Sequence, residues 1–378
     1  MKLVAQIALK TTPEQTDALI RTMHITNAAC DWLSNVAFDR RVFNKFGLQQ
    51  ATYQDCRAQF SMLSSQVVIR CVAKVAASYA VDRDEKHAFK PLGAIAYDAR
   101  ILSFKPDQSS ISIWTVDGRQ TIEFVCGERQ RELLQGKRGE SDLCQIDGRM
   151  YLFVTCEVKQ PTPADVSDVI GVDLGITTIA ADSDGERFSG DKINDLRRKY
   201  RHKRQRLQKK GTKNAKRKLR QIRRRESRFS KHTNHVISKQ VVKKAHSTGR
   251  AIALEELTGI RNRVKAGRRQ RTKLHSWAFA DLKAKIVYKA ALAGVPVIFV
   301  DPRYTSQTCP TCGCVDKRNR PSQAIFRCIQ CGHADHADTN AARNIRVRAA
   351  VNRPMESQIV SRHDASGDFQ SQVQSLRL

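Results

Sequence analysis

Residues 1–10 alternate apolar and polar side chains, the two-residue period of a β-strand. Thr12, Pro13, Glu14 and Gln15 then offer a helix start with proline in its first turn. Apolar positions recur at helical spacing from there through Ala80, which predicts a small helical bundle. From about Leu92 the pattern shortens to alternating segments: ILSF at 101–104, SISIWTV at 110–116, TIEFV at 121–125 and YLFVTCEV at 151–158. Asp117-Gly118 and Asp147-Gly148 carry the turn chemistry that joins such strands into hairpins, so an antiparallel sheet or small barrel is expected. Pro161 and Pro163, within residues 160–165, punctuate the chain like a domain boundary.

Past that point residues 169–185, VIGVDLGITTIAADSDG, read as two apolar strands joined through Gly175 and ended by the turn Asp182-Ser183-Asp184-Gly185. Residues 250–257 and 295–302 supply a third and a fourth strand, with helical stretches between, so this half is α/β. From about residue 351 large apolar residues are scarce and Ser and Gln abundant, the composition of a disordered tail. There are no internal repeats.

Composition adds a partner to this outline. The 378 residues include 67 Lys and Arg against 37 Asp and Glu, a formal charge of +30 and a pI near 10.1. Self-repulsion of that size strains a compact fold, and a polyanion is the expected counterpart. An anionic membrane would also absorb the charge. However, no basic amphipathic segment carries Trp or Phe on one face, and the longest apolar run, residues 290–300, is too short to span a bilayer. Residues 1–15 lack the apolar core and cleavage site of a signal peptide, so a cytoplasmic, nucleoid-associated location is expected.

Eleven cysteines in a cytosolic chain are thiols or metal ligands. Cys30, Cys56, Cys71, Cys126, Cys144 and Cys156 stand singly and read as small buried hydrophobes. Cys309, Cys312, Cys328 and Cys331 form two C-x-x-C knuckles with 15 residues between them, the spacing of a closed, structural zinc ribbon. Cys314 and His333 stand near enough to be substitute ligands.

Three carboxylates stand out at element ends. Asp173 closes the apolar run before Leu174-Gly175, Glu255 follows a second apolar run at 251–254, and Asp338 opens a helical stretch. Each alone reads most simply as a cap or surface group. Three in one α/β domain would repel one another unless cations sat among them, and two divalent ions so held can drive phosphodiester hydrolysis. Residues 171–175, GVDLG, also suit the sugar-kinase, actin and heat-shock ATPases. That class wants further glycine-rich phosphate loops, which are missing.

Residues 197–231 hold 19 Lys or Arg and a single acid, Glu226. Leu196, Tyr200 and Leu207 share one helical face, as do Leu219, Ile222 and Phe229, so two basic helices joined through residues 209–214 are expected. With so little acid to pair with, the charge faces a nucleic-acid backbone, and affinity should fall steeply with salt. The candidate contacts are Arg197, Arg198, Lys199, Arg201, Arg204, Lys216, Arg217, Arg220, Arg224 and Arg228. A second basic block covers residues 261–273.

Taken in order, several stretches resemble the OrfB/TnpB family of insertion-sequence proteins, relatives of the compact type V CRISPR effectors. They are TPEQ at 12–15, GVDLG at 171–175, residues 226–239, LEEL at 254–257, YTSQTCPTCG at 304–313 and residues 331–345. The resemblance implies an RNA-guided DNA endonuclease, partnered by a guide RNA and target DNA and monomeric with its RNA. The implied fold is multidomain α+β. A β-barrel-like wedge domain takes 1–10 and 86–165, and a helical recognition lobe takes 11–85. An RNase H-like (RuvC) α/β domain takes 166–304 and 334–350, with the zinc ribbon at 305–333 inserted. Asp173, Glu255 and Asp338 match the RuvC acids that hold two catalytic Mg²⁺ ions, with Glu256 as the alternative to Glu255, and the four cysteines match one structural Zn²⁺. Many relatives carry arginine two positions before the final acid, where this chain has His336. A guide-dependent DNA-binding regulator without cleavage and a transposase with RNase H-like acids are the competing readings.

Overall fold

The structure, a computed structural model, describes residues 1–105, 109–175, 177–256 and 279–351, without the side chains of Arg223, Arg224, Phe279 and Val351. The basic block at 261–273 and the tail expected to be disordered lie outside these residues, as does the Arg224 side chain. The chain divides into two compact units between Lys159 and Gln160. Among the described residues no helix is long and apolar enough to cross a membrane.

In the first unit β1 (Lys2–Lys10) leads into three helices, α1 (Pro13–Asp39), α2 (Lys45–Gln59) and α3 (Ser65–Val81). Thr12, Asn44 and Ser64 cap their N-termini, and Thr12 and Gln15 complete a reciprocal capping box. Six further strands follow: β2 (Ile95–Tyr97), β3 (Leu102–Lys105), β4 (Ser110–Thr115), β5 (Gly118–Val125), β6 (Arg138–Ile146) and β7 (Arg149–Glu157), with helix α4 (Glu128–Gln135) before β6. They pair antiparallel with β1 in the order β2-β6-β7-β1-β5-β4-β3. The edge strands β2 and β3 are consecutive, separated only by the turn at residues 98–101. The sheet must therefore curl until its edges nearly meet, and the Tyr97 hydroxyl reaches across to the Trp114 carbonyl at 3.1 Å. Asp147 and Gly148 both take positive φ, 55° and 77°, in the β6–β7 hairpin that the Asp-Gly pair predicts. Helices and barrel share one core, with Leu19, Met23, Val72 and Tyr79 packed with Ile7, Ile111, Ile113 and Leu152.

The second unit is built on β8 (Asp168–Asp173), β9 (Thr178–Asp182), β10 (Arg187–Ser189), β11 (Arg250–Glu255) and β12 (Val297–Val300), in the order β10-β9-β8-β11-β12. The β8, β11 and β12 trio is parallel, and β9 runs antiparallel to both of its neighbours, β8 and β10. Helices α5 (Asp191–Lys210) and α6 (Lys213–Ser247) form the basic hairpin, turning at Gly211 with φ 65°. Ile237 and Val241 of α6, with Leu282 and Ile286 of α7 (Phe279–Leu292), cover one sheet face against Ile170, Val172, Ile252 and Leu254. Ile345 and Ala349 of α8 (Ala337–Val351) cover the other, against Val169, Ala251 and Ala253. Burial on both faces explains why β8 and β11 are continuous apolar runs. Two short strands, β13 (Ile325–Arg327) and β14 (Ala334–His336), make a ribbon ahead of α8.

Candidate active site and metal-binding ribbon

Strand alternation assigns the acids to a face. In β8, Ile170 and Val172 point toward α6 and α7, and in β11 Ile252 and Leu254 do the same, so Asp173 and Glu255 fall on the α8 side. The parallel register aligns Val172 with Leu254, which leaves Asp173 and Glu255 as neighbours at the carboxyl end of the sheet. Asp338 stands in the first turn of α8, the helix packed on that face. Gly171 makes the approach possible, because a Cβ there would lie 2.0 Å from the Ala342 carbonyl oxygen. Glu256, one residue further along, goes the other way and pairs with Lys283 of α7 at 2.8 Å.

Asp173 and Asp338 line a cavity of about 250 Å³ together with Gly175, Thr177, Arg320 and Gln323. Burial, then the charges of Glu255 and Asp338, push the Asp173 carboxyl up to about 8, against the pull of Arg320 and of the Leu174 N–H. Burial also raises Glu255, offset by a hydrogen bond from Thr305 and by Arg348. Carboxylate oxygens whose charges oppose one another are the ligand type that hard divalent cations such as Mg²⁺ take.

Arg320 is the candidate functional residue that local sequence reading missed. It lies 18 residues before Asp338, yet the ribbon folds back so that its Nη2 stands 3.1 Å from Asp338 Oδ1. His336 caps the start of α8: its Nδ1 accepts the Asp338 backbone N–H at 3.3 Å. Gln323 Nε2 donates to Thr177 Oγ1 at 2.7 Å, tying the ribbon to the β8–β9 loop.

The ribbon gathers Cys309, Cys312, Cys328 and Cys331, their sulfurs all within 4.8 Å of one another, so the four thiols could hold a metal ion. The Cys309–Cys331 and Cys312–Cys328 separations of 3.6 and 3.5 Å approach the roughly 3.8 Å edge of a tetrahedral zinc–thiolate site with about 2.3 Å bonds. The two knuckles are built alike. Gly313 and Gly332, at φ 75° and 76°, donate to the Cys309 and Cys328 carbonyls, and Cys309 and Cys328 donate in turn to the carbonyls of Cys314 and His333. Cys314 and His333 thus serve through their backbones. Buried Asn319 joins the halves, donating to the Gln307 and Cys314 carbonyls and accepting from the Ile329 N–H.

On the basic hairpin Arg198, Lys199, Arg201, Lys216, Arg217, Arg220 and Arg228 are exposed. Arg197 and Arg204 are not so free: Arg197 donates to Ser230 at 3.4 Å and Arg204 pairs with Glu226, both joining α5 to α6. The side chains of Ile193, Ala215 and Ile222 are buried, while Leu196, Tyr200 and Leu207 are half-covered.

Two protein-family models match this second unit and its approach. Residues 153–258 match the OrfB model, described as "Probable transposase", and residues 279–345 match the Cas12f1-like TNB domain. In these stretches the chain is similar to OrfB/TnpB proteins. It is 28% identical to the TnpB-like protein MJ0751 of Methanocaldococcus jannaschii over 256 residues, covering 64% of this chain and 91% of that one. It is also 47% identical over 116 residues to the CRISPR-associated endodeoxyribonuclease Cas12f1 of Sulfoacidibacillus thermotolerans, covering 30% of this chain and 26% of that protein. The matches span only 14% to 40% of the length of the Cas12f relatives. In fold, the Cas12f1 of a solved sgRNA–target DNA complex superposes with a TM-score of 0.61 at 15% identity, over 88% of this chain and 83% of that one. The mixed α/β architecture with its near-closed first sheet is therefore shared with a type V effector.

Proposed function

We propose that this chain is an RNA-guided DNA endonuclease whose second unit is a RuvC-type, RNase H-like nuclease domain. The observation that carries the reading is the convergence of Asp173, Glu255 and Asp338, from three distant stretches of sequence, on one end of one sheet. The raised carboxyl of Asp173 supports it, since acids so arranged relax when cations take up their charge. Two Mg²⁺ ions held by the three acids would supply activation of water and stabilisation of the leaving oxygen.

The remaining roles belong to the chain's own residues. Asp173 and Glu255 are fixed by parallel strands, and Asp338 by a helix close-packed on them, so the acids need little reorganisation when substrate arrives. Arg320, beside Asp338 and lining the cavity, is suited to the negative charge of a scissile phosphate. The exposed arginines and lysines of α5 and α6 would neutralise the backbone of the guide RNA or of the target DNA. In the ribbon a single Zn²⁺ would keep Arg320 and the α8 approach in place. The first unit would serve as wedge and recognition domains, as the family resemblance implies.

The chain purified from its cells should carry a discrete RNA. Once that RNA is sequenced and reprogrammed, the complex should cut a matching DNA in Mg²⁺. Random RNA fragments and no guided cutting would reject the proposal.

A further inference from the structure

Thr305 lies between the last strand of the sheet and the ribbon, 4% exposed. Its hydroxyl donates to Glu255 Oε1 at 2.5 Å, the short distance of a charge-assisted O–H···O⁻ bond, with the Pro302 carbonyl at 3.1 Å. The preceding residue, Tyr304, takes φ 60°, a left-handed conformation that a bulky non-glycine side chain adopts only when its surroundings impose it. The Tyr304 carbonyl collects the N–H groups of Gln307 and Thr308 and the Thr308 hydroxyl. The turn is thus tied down against its own backbone preference, and the residue it delivers is Thr305.

A second set of bonds connects that turn to α8. Asn344 donates to the carbonyls of Thr305 and Thr308 at 2.8 and 2.7 Å, and Asn340 to Thr308 at 3.1 Å. Both asparagines are buried, and both follow Asp338 on the same helix. One loop therefore holds Glu255 through a side chain and the Asp338 helix through its backbone, then continues directly into the first knuckle at Cys309.

We propose that Thr305 is a positioning residue that fixes the Glu255 carboxylate for divalent-cation binding, so that the strap at residues 302–308 sets Glu255 and Asp338 together. This rests on the proposed nuclease site. A hydroxyl that only filled space would be replaceable by an isosteric methyl. One that orients a metal ligand would not, and losing such a partner typically costs about 10- to 100-fold in metal affinity.

The test uses the full-length chain freed of nucleic acid, with Mn²⁺ alone as the probe and free Mn²⁺ followed by electron paramagnetic resonance. Site binding is defined as the fraction that Asp173→Ala removes. Thr305→Val should weaken it by about 10- to 100-fold, and Thr305→Ser, which restores the hydroxyl, should return it to within about threefold of the parent. Zinc content and melting temperature should stay at the parent's values. Thr305→Ala reports the same loss should the valine variant not fold. Undiminished Mn²⁺ binding by Thr305→Val or Thr305→Ala, with Glu255→Ala deficient, overturns the role of Thr305 and leaves the site reading standing. A failure of serine to rescue overturns it as well. If Asp173→Ala and Glu255→Ala also bind as the parent does, the site reading itself falls, and the role of Thr305 with it.

Discussion

Gly171 offers the sharpest mechanical test, because substituting it removes none of the proposed functional groups. A Cβ on this residue would sit 2.0 Å from the Ala342 carbonyl oxygen, 2.6 Å from the Arg346 nitrogen and 3.1 Å from the Ala342 carbonyl carbon. All three are backbone atoms of α8, which cannot swing aside as a side chain would. Regaining the 3.4 Å of ordinary contact requires α8 to retreat by about 1.4 Å, or β8 to buckle by as much. Overpacking of this kind costs about 1–3 kcal/mol, and a backbone-on-backbone clash belongs at the upper end. For a unit of this size, about 3 kcal/mol lowers Tm by roughly 6–12 °C. The catalytic consequence should be larger than the structural one. Asp338 rides on α8 and Asp173 on β8, and a misplacement of about 1 Å in a catalytic constellation can cost on the order of 100-fold. Gly171→Ala should therefore cut guided DNA about 100-fold more slowly in single turnover while retaining its RNA, since the basic hairpin is untouched. A variant that melts within about 1 °C of the parent and cuts within about twofold would refute the inferred role of the close approach.

Three further outcomes follow from the same geometry. Arg320→Ala should slow single-turnover cleavage by about 100-fold or more without weakening target binding, with Arg320→Lys intermediate; an unchanged rate would remove Arg320 from the site. Cys328→Ser, or chelation of the ribbon metal, should lower zinc from one ion per chain and abolish cutting, because Arg320 and the strap to Glu255 hang on the ribbon; zinc analysis alongside the cleavage assay checks this. Asp184 makes a two-point pair with Arg250, at 2.9 and 2.6 Å, and a further one with Lys244, and the Arg250 bond leads in holding its carboxyl well below the ordinary 3.8. A depressed carboxyl contributes stability that is complete above its ordinary value and lost as pH falls toward the folded one. Asp184→Asn should therefore cost about 1 kcal/mol at pH 7 in urea unfolding, a cost that shrinks below pH 3.8.

Much of the second unit was legible because burial on both sheet faces writes long apolar runs into the sequence, and an acid ending such a run stands out. The runs before Asp173 and Glu255 are of this kind. The family motif alone favours Glu255 over Glu256; strand alternation and the helix covering each face add that Glu255 falls on the α8 side while Glu256 pairs with Lys283. The cysteine spacing identified the ribbon, but nothing local could reveal that Arg320, between the knuckles, returns to Asp338. Thr305, Asn340 and Asn344 are equally silent in sequence, because their partners lie 32 to 50 residues away. In the first unit, β6 escaped the sequence reading. Its register shifts between Arg138 and Ser141, which breaks the alternation, and its first residues are polar. Three-residue β2 is too short to register as a period at all. Charge density located the basic hairpin, yet could not tell that Arg204 and Arg197 are engaged between its helices.

The most direct test of the central claim compares guided cleavage of matched DNA in Mg²⁺ by the parent chain and by Asp173→Ala, Glu255→Ala, Asp338→Ala and Glu256→Ala, each measured beside target binding. The expected result is loss of cutting with binding retained for the first three, and near-parental cutting for Glu256→Ala, whose carboxylate pairs with Lys283 of α7. Cleavage that survives removal of Asp173 would contradict the account.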